Sequence, residues 1–203
     1  TKRGLVLFVG GTGSGKSTLS WVLARAMPIA EGSLLLQGIE VCTVPLKQYR
    51  DLVHIYPQDS FIFSGKLRLF LDPHGFHSDA KLNDLLDEFV KATASSSSEQ
   101  RGGTSDHLLE LDHAITAGGG NLSSGQKQVC TLVRAALSDA AVVVLDEVTS
   151  SMDMTSSTKA IEILQRELVR KDAAVLLVSH RPEDLVSCNA IWRMDAGTLS
   201  LEK

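Results

Sequence analysis

The sequence has few cysteines, few aromatic residues and no long hydrophobic segment. Its three cysteines are odd in number and widely spaced, which fits neither a disulfide framework nor a zinc site and favours reduced thiols in a cytosolic setting. The longest apolar runs have six residues, far fewer than the roughly 20 that a membrane-spanning helix needs. The 24 acidic residues outnumber the 20 basic ones, which argues against a nucleic-acid-binding protein.

Three short apolar segments predict the strands of a parallel sheet. They cover residues 5–9, 140–145 and 173–178, and each is apolar throughout, as is typical of strands covered on both faces. Residues 16–27 and the region around 157–169 have the spacing of helices. The sequence therefore predicts an α/β fold in which helices flank a parallel sheet, built as a single domain over residues 1–203. No signal peptide is expected, because the apolar stretch near the start has only five residues.

The middle of the sequence has a different character. From about 66 to 136 helical patterns dominate, and Leu82, Leu86 and Phe89 fall on one face of a helix, which predicts an inserted helical subdomain. Residues 94–106 are polar and of low complexity, and we expect a mobile surface loop there.

Two smaller features complete the prediction of secondary structure. Residues 33–40 and 41–44 look like short strands around Gly38. Trp21 and Trp192 are expected to be core residues.

A glycine-rich segment lies between the first predicted strand and the first predicted helix. Its sequence, Gly-Gly-Thr-Gly-Ser-Gly-Lys-Ser, fits the phosphate-binding pattern G-x-x-x-x-G-K-[ST] in the strand–loop–helix setting that the pattern requires. Glycines allow backbone N–H groups to approach phosphate oxygens, and the start of the helix adds partial positive charge. Lys16 is predicted to reach the β- and γ-phosphates, and the Ser17 hydroxyl to hold Mg²⁺. The predicted nucleotide-binding residues of this loop are Gly10, Gly11, Thr12, Gly13, Ser14, Gly15, Lys16, Ser17 and Thr18.

Two carboxylates follow the apolar segment 140–145. Asp146 is placed to meet the metal, directly or through water, and Glu147 is placed to act as a general base toward an attacking water. These residues together with the phosphate loop predict a nucleoside triphosphatase and nothing narrower.

Residues 121–128, Asn-Leu-Ser-Ser-Gly-Gln-Lys-Gln, closely resemble the signature loop of ATP-binding-cassette (ABC) ATPases. The other motifs of that family stand in the family's order: the phosphate loop, Gln58 in a Q-loop, the signature loop, Asp146-Glu147, Asp153 in a D-loop, and His180 as the switch histidine. The resemblance extends from residue 4 to about residue 200.

This resemblance implies an Mg²⁺-dependent ATPase in which two domains stack head to tail and enclose ATP. It implies that Gln58 bridges Mg²⁺ and the attacking water, that His180 contacts the γ-phosphate, and that Asp153 makes contacts across the dimer. Part of the signature loop would contact ATP held by the partner domain, namely Ser123, Ser124, Gly125 and Gln126, with a helix starting at Gln126.

Two segments narrow the resemblance to the multidrug-resistance-protein branch, subfamily C. Residues 56–65 with Leu71-Asp72-Pro73 look like that branch, and residues 118–121 fit its C-terminal nucleotide-binding domain. The sequence departs from the family at Ser124, where glycine is the commonest residue. It also lacks, ahead of the phosphate loop, the antiparallel strands and the aromatic residue that stacks on adenine in the family. The sequence is therefore expected to be a fragment of a larger transporter.

The function expected from the resemblance is ATP hydrolysis that powers transport of a substrate across a membrane. The expected partners are a second nucleotide-binding domain and the transmembrane domains of the same transporter, at the cytoplasmic face of a membrane, with this fragment itself soluble and no nucleic acid involved. One alternative is a nucleotide-gated regulatory module of a channel- or receptor-like ABC protein, with little turnover. A DNA-repair or chromosome-maintenance ATPase is a weaker alternative, since no coiled-coil heptads are present.

Overall fold

A computed structural model describes residues 5–58, 61–94, 109–180 and 188–202. Apart from Ala94, the low-complexity segment predicted at 94–106 lies outside the described residues. The chain forms two compact units. The first comprises Thr1–Pro57, Ser138–Glu147 and Leu168–Lys203, and the second comprises Gln58–Leu137 and Val148–Glu167.

Helices and strands are interspersed along the described part of the chain. In order they are β1 (Leu5–Val9), α1 (Lys16–Leu23), β2 (Leu35–Leu36), β3 (Ile39–Glu40), α2 (Leu46–Leu52), β4 (Val53–Tyr56), β5 (Gly65–Lys66), α3 (Leu67–Leu71), α4 (Asp79–Thr93), β6 (Ala114–Ile115), α5 (Ser124–Leu137), β7 (Val142–Asp146), α6 (Met154–Arg170), β8 (Ala174–Ser179), β9 (Ala190–Asp195) and β10 (Thr198–Leu201).

The first unit is built on a six-stranded sheet of the described residues, in the order β10-β9-β1-β8-β7-β4. All neighbours in it are parallel except β9 and β10, which form an antiparallel hairpin. The central strands β1, β7 and β8 are the apolar segments of the sequence, and Leu7, Val143 and Leu177 are fully buried. The predicted α/β fold with a parallel-dominated sheet is therefore confirmed.

The register of the sheet brings the ends of three strands to one edge. Val9 is paired with Ser179, and Asp146 is paired with Val178. Because these strands are parallel, the residues that follow β1, β7 and β8 all leave the sheet at this edge. The phosphate loop follows β1, Glu147 follows β7 and His180 follows β8, so all three lie at this edge.

Several local predictions differ from the structure. Helix α1 ends at Leu23 rather than at residue 27, and Arg25, two residues later, has φ of +52°, outside the helical region. Residues Val41–Thr43 form a short 3₁₀ turn rather than a strand. Trp21 is 59% exposed because it lies on the outer face of α1, so its assignment to the core is wrong, and Trp192 is only half-buried.

The second unit is mainly helical within its described residues, and it contains the region predicted as a helical subdomain, about 66–136. Helix α4 packs against α5 and buries the predicted face, including Leu82, Leu86 and Phe89. Charged side chains of α6 also pair with charged side chains of α4. The buried Glu167 accepts a hydrogen bond from Lys81 at 2.7 Å, and the neighbouring Arg166 pairs in a bidentate way with Glu88.

Candidate nucleotide-binding and catalytic site

The phosphate loop adopts a conformation that requires glycine at several positions. Gly13 and Gly15 have φ of +79° and +109°, a region that side chains disfavour. Gly10 is required for a different reason. A Cβ atom at Gly10 would lie 2.4 Å from the Met194 carbonyl oxygen and 2.6 Å from the Ser14 hydroxyl oxygen. The pattern of glycines in the sequence therefore matches both the backbone shape and the packing of the loop.

The β9–β10 hairpin holds this loop from the side. The Gly197 N–H in the turn of the hairpin donates to the Ser14 carbonyl at 2.9 Å, and the Ser14 N–H donates to the Gly11 carbonyl at 3.2 Å. The sulfur of Met194 would lie 3.2 Å from a Cβ at Gly15. The sequence prediction did not include this hairpin. The Ala-Gly turn at residues 196–197 is the sequence feature that could have indicated it.

Lys16 is buried, and its hydrogen bonds within the described residues go to neutral groups. The residue is only 6% exposed, and its ammonium donates to the Gly10 and Gly11 carbonyls at 2.7 and 2.9 Å. Within the described part of the chain, no carboxylate lies within ion-pair distance of it. A buried ammonium with only neutral acceptors has an unmet demand for an anion. The loop therefore fits a phosphate group.

Three hydroxyl side chains of the loop differ in how exposed they are. Ser17 and Thr18 are exposed on the first turn of α1. The Ser14 hydroxyl is buried, and it has no hydrogen-bond partner among the residues that the structure describes. Burial without a partner is unfavourable for a hydroxyl, as for any polar group.

Asp146 ends β7 in a partly buried position at the same sheet edge. Burial raises the pKa of the Asp146 carboxyl, and the neighbouring Glu147 carboxylate raises it as well. The Ser20 hydroxyl and the Lys16 ammonium act on this pKa in the opposite direction. Asp146 is thus a carboxylate held close to the phosphate loop at a cost in desolvation, which a bound cation would offset.

Glu147 and His180 form a pair across the ends of β7 and β8. Glu147 Oε1 lies 3.3 Å from His180 Nδ1, and the side chains are 20% and 49% exposed. The Glu147 N–H donates to the Val178 carbonyl at 2.9 Å, which fixes its backbone to β8. Glu147 has φ of +51°, an unfavourable conformation for a residue with a side chain. The structure thus brings the phosphate loop, Asp146, Glu147 and His180 together in the first unit.

The other predicted site residues belong to the second unit. Gln58 is its first residue and is exposed. Ser123 precedes α5, which starts at Ser124 rather than at Gln126 as predicted. The Gln126 N–H donates to the Ser123 hydroxyl, and the Ser123 N–H donates to the Gln126 side chain, at 3.1 and 2.9 Å. This reciprocal pair is a capping box, so both side chains are engaged at the helix start. Ser124 and Gly125 are exposed.

Asp153 also caps a helix. Its carboxylate accepts hydrogen bonds from the Ser156 N–H at 3.1 Å and the Ser156 hydroxyl at 2.6 Å, at the start of α6. These bonds hold the pKa of Asp153 below its usual range. A contact of Asp153 with a partner domain stays a prediction.

The comparisons with known proteins identify the family. The family model described as ABC transporter matches residues 2–150. The chain belongs to the ABC transporter family. The matched residues include the phosphate loop, Gln58, the signature loop and Asp146-Glu147.

Similar proteins of the ABC transporter family are much longer than this chain. It is 34% identical to the multidrug resistance protein fer6 of Mycosarcoma maydis over 194 residues, which is 96% of this chain and 13% of that protein. It is also 34% identical to the rat ATP-binding cassette sub-family C member 3 over 192 residues, 95% of this chain and 12% of that protein. The relation to subfamily C that the sequence motifs indicated is therefore confirmed.

A solved structure supports the fold. The chain is similar to a bacterial Atm1-family ABC exporter with ATP bound, with a TM-score of 0.78 at 23% identity, covering 98% of this chain and 33% of that chain. Among the described residues, no helix combines the length and the hydropathy that crossing a membrane requires.

The carboxylates of the site fit a magnesium ion that is bound together with a nucleotide. The part of the chain that the structure describes has no group of three or more His, Cys, Asp or Glu side chains able to hold one. Mg²⁺ does not need such a cage, because it keeps several waters and is bound through one or two carboxylates and substrate phosphates. A single desolvated carboxylate at Asp146 therefore fits Mg²⁺ that arrives with a nucleotide.

Proposed function

We propose that this chain is the ATP-hydrolysing nucleotide-binding domain of a membrane transporter. One observation carries the proposal. The buried Lys16 ammonium, whose hydrogen-bond partners among the described residues are carbonyls, lies at the same sheet edge as Asp146 and as the paired Glu147 and His180. Phosphoryl transfer to water requires three kinds of group. They are a cation that binds phosphate, here Lys16, a carboxylate that can meet a metal, here Asp146, and a second carboxylate that can take a proton, here Glu147.

Each of these groups has a separate role in the proposed reaction. Backbone N–H groups of the phosphate loop and Lys16 bind the β- and γ-phosphates of ATP. Ser17, Asp146 and Gln58 would hold Mg²⁺, which would supply positive charge against the phosphates. Glu147 accepts a proton from water as the water oxygen bonds to the γ-phosphorus and the bond to the leaving ADP oxygen breaks.

His180 and a second nucleotide-binding domain would complete the site. The 3.3 Å separation from His180 Nδ1 orients the Glu147 carboxylate and leaves the other ring nitrogen able to contact the γ-phosphate. We propose that Ser123, Ser124, Gly125 and Gln126 contact ATP held by a second nucleotide-binding domain, with Asp153 at the same interface.

The function of the whole protein is part of this proposal. The chain spans only 12–13% of the relatives cited above, so most of their length lies elsewhere. We propose that transmembrane domains of the same transporter are coupled to this domain at the cytoplasmic face of a membrane. We further propose that this is the C-terminal one of two such domains, with residues 66–136 as its helical subdomain.

The decisive experiment is Glu147→Gln in the full-length protein, with measurement of ATP binding and of phosphate release. The variant keeps the size of the side chain and removes the base, so ATP binding should stay within about twofold while turnover falls by about 10²–10⁴-fold. Glu162→Gln, the same change at an exposed position of α6, is the matched control and should leave both unchanged. If the parent binds ATP but releases phosphate no faster than Glu147→Gln, the protein is an ATP-binding regulatory module and the proposed hydrolysis is wrong.

A further inference from the structure

Asn121, the residue two positions before Ser123, uses its whole side-chain amide within the second unit although it is exposed. Its Oδ1 accepts from the Thr116 N–H at 3.0 Å and from the Thr116 hydroxyl at 3.1 Å. Its Nδ2 lies 2.7 Å from the Ala114 carbonyl and 3.1 Å from His113 Nε2. Both acceptor positions of the oxygen and both hydrogens of the nitrogen therefore have protein partners, and water does not have to supply any of them.

These contacts determine the proton on His113. The Thr116 N–H can only donate and the Ala114 carbonyl can only accept, so the Asn121 amide can be oriented in only one way. Its nitrogen then faces His113 Nε2 with a hydrogen. His113 Nε2 is then the acceptor of this hydrogen bond, in the tautomer that carries its hydrogen on Nδ1.

The segment that Asn121 closes leads directly into the signature loop. The Gly119 N–H donates to the Thr116 carbonyl at 2.8 Å, and the Leu122 N–H donates to the Gly119 carbonyl at 3.0 Å. A side chain at Gly119 would be strained, since φ there is +65° and a Cβ would lie 3.2 Å from side-chain atoms of both Ile62 and Lys127. Asn121 thus ties a compact turn back to β6, and the capped start of α5 follows two residues later.

The start of α5 has a second connection to the same turn. The Lys127 ammonium donates to the Gly118 carbonyl at 3.2 Å. This contact is a single hydrogen bond at the end of a flexible side chain, whereas the Asn121 amide makes four contacts to three residues. Asn121 is therefore the group that sets the direction in which Ser123, Ser124 and Gly125 leave the turn.

We propose that Asn121 and His113 form a positioning pair for the signature loop, in which His113 Nε2 accepts from the Asn121 amide and the pair fixes the loop that completes the site of the partner domain. This inference rests on the proposed function only for what the loop acts on. The geometry of the pair does not depend on that function.

Four variants in the full-length protein test the pair: Asn121→Ala, Asn121→Asp, His113→Leu and His113→Gln. The first three remove a donor or the acceptor. We expect turnover to fall on the order of tenfold in each, because misplacing a contact group by a fraction of an ångström has effects of that size. ATP binding should keep its stoichiometry and stay within about twofold in affinity, because the phosphate loop belongs to the other unit. His113→Gln offers an acceptor oxygen at the same reach and should return most of the turnover that His113→Leu loses.

Two measurements separate positioning from a general loss of structure. A variant that only misfolds would lose ATP-binding capacity in proportion to turnover, and glutamine would not rescue it. Amide hydrogen exchange over residues 113–128 should speed up in Asn121→Ala and His113→Leu, with parent rates in His113→Gln and in Asn83→Ala, a matched control at an exposed position of α4.

Each result has a definite meaning. Parent turnover in Asn121→Ala, or parent exchange rates in both Asn121→Ala and His113→Leu, would overturn the positioning pair. If the parent itself shows no ATP turnover, the proposed function fails, and the exchange rates alone decide whether the pair fixes the loop.

Discussion

A single methyl group at Gly10 should destabilise the first unit, and the structure indicates why. The Cβ of alanine would lie 2.4 Å from the Met194 carbonyl oxygen and 2.6 Å from the Ser14 hydroxyl oxygen. The hydroxyl can move by rotation of its side chain. The carbonyl cannot move without disturbing β9, whose Met194 is paired with Leu199 of β10.

The size of the effect follows from how far the backbone must move. Non-bonded atoms prefer separations of about 3.5–4.0 Å, so the loop or the strand must shift by about 1 Å. Overpacking of this kind costs about 1–3 kcal/mol. For a chain of this size each kcal/mol lowers the melting temperature by about 2–4 °C, which gives an expected decrease of about 2–12 °C for Gly10→Ala.

Gly11→Ala is the matched control in the same loop. A Cβ at Gly11 meets no atom within 4 Å, and its φ is not positive. There the substitution should stabilise the chain by about 0.4–1 kcal/mol, because alanine reduces the conformational freedom of the unfolded state. Thermal unfolding of the three purified proteins without nucleotide, followed by circular dichroism, provides the comparison. Equal melting temperatures for Gly10→Ala and Gly11→Ala would refute the close approach of β9 to the phosphate loop.

Three further predictions concern buried polar groups. Ser14→Ala should stabilise the nucleotide-free chain by about 1 kcal/mol in denaturant unfolding, since it removes a buried hydroxyl that has no partner among the described residues, and a clear loss of stability would show that the hydroxyl is bonded. Asp146→Asn should raise the melting temperature at pH 7 by a few degrees, at about 2–4 °C per kcal/mol. Because the pKa of Asp146 is raised in the folded state, the native protein loses stability as pH rises above the unfolded value of 3.8. The stability gained from Asp146→Asn should therefore vanish well below that pH. An equal gain at pH 3 and pH 7 would contradict the reasoning. Burial raises the pKa of the Cys130 thiol to about 12, so iodoacetamide at pH 8 should modify the exposed Cys42 and leave Cys130 unmodified until the protein unfolds, as peptide mass spectrometry can show.

The central sheet and the phosphate loop could be predicted because the pattern of each depends only on residues that are adjacent in the sequence. A strand buried on both faces is largely apolar, and β1, β7 and β8 meet that condition in the sequence apart from Asp146 and Ser179 at their ends. The loop pattern is equally local, since its glycines, Lys16 and Ser17 lie within eight positions. Parallel pairing then places Glu147 and His180 at one edge without any knowledge of distant contacts.

The parts that could not be predicted depend on residues far apart or on weak local signals. Strand β10 has only four residues, Thr198–Leu201, so its alternation of leucine with threonine and serine is a weak signal. The requirement for glycine at Gly10 comes from Met194, which is 184 positions away in the sequence. His113 had no partner pattern in the sequence, because its contact with Asn121 exists only after residues 114–120 turn back on themselves.

The site contains several features that each lower the stability of the fold. Lys16 is buried with only neutral acceptors, the Ser14 hydroxyl has no partner among the described residues, and Glu147 has a left-handed backbone. Burial also disfavours the charged form of Asp146. These costs lie at one sheet edge, and a nucleotide with Mg²⁺ would relieve at least those at Lys16 and Asp146. The signs of the predicted effects follow from this: Ser14→Ala and Asp146→Asn remove a cost and stabilise, whereas Gly10→Ala opposes the packing of the loop itself. Opposite signs within one loop are expected where the fold holds groups in place for a ligand rather than for its own stability.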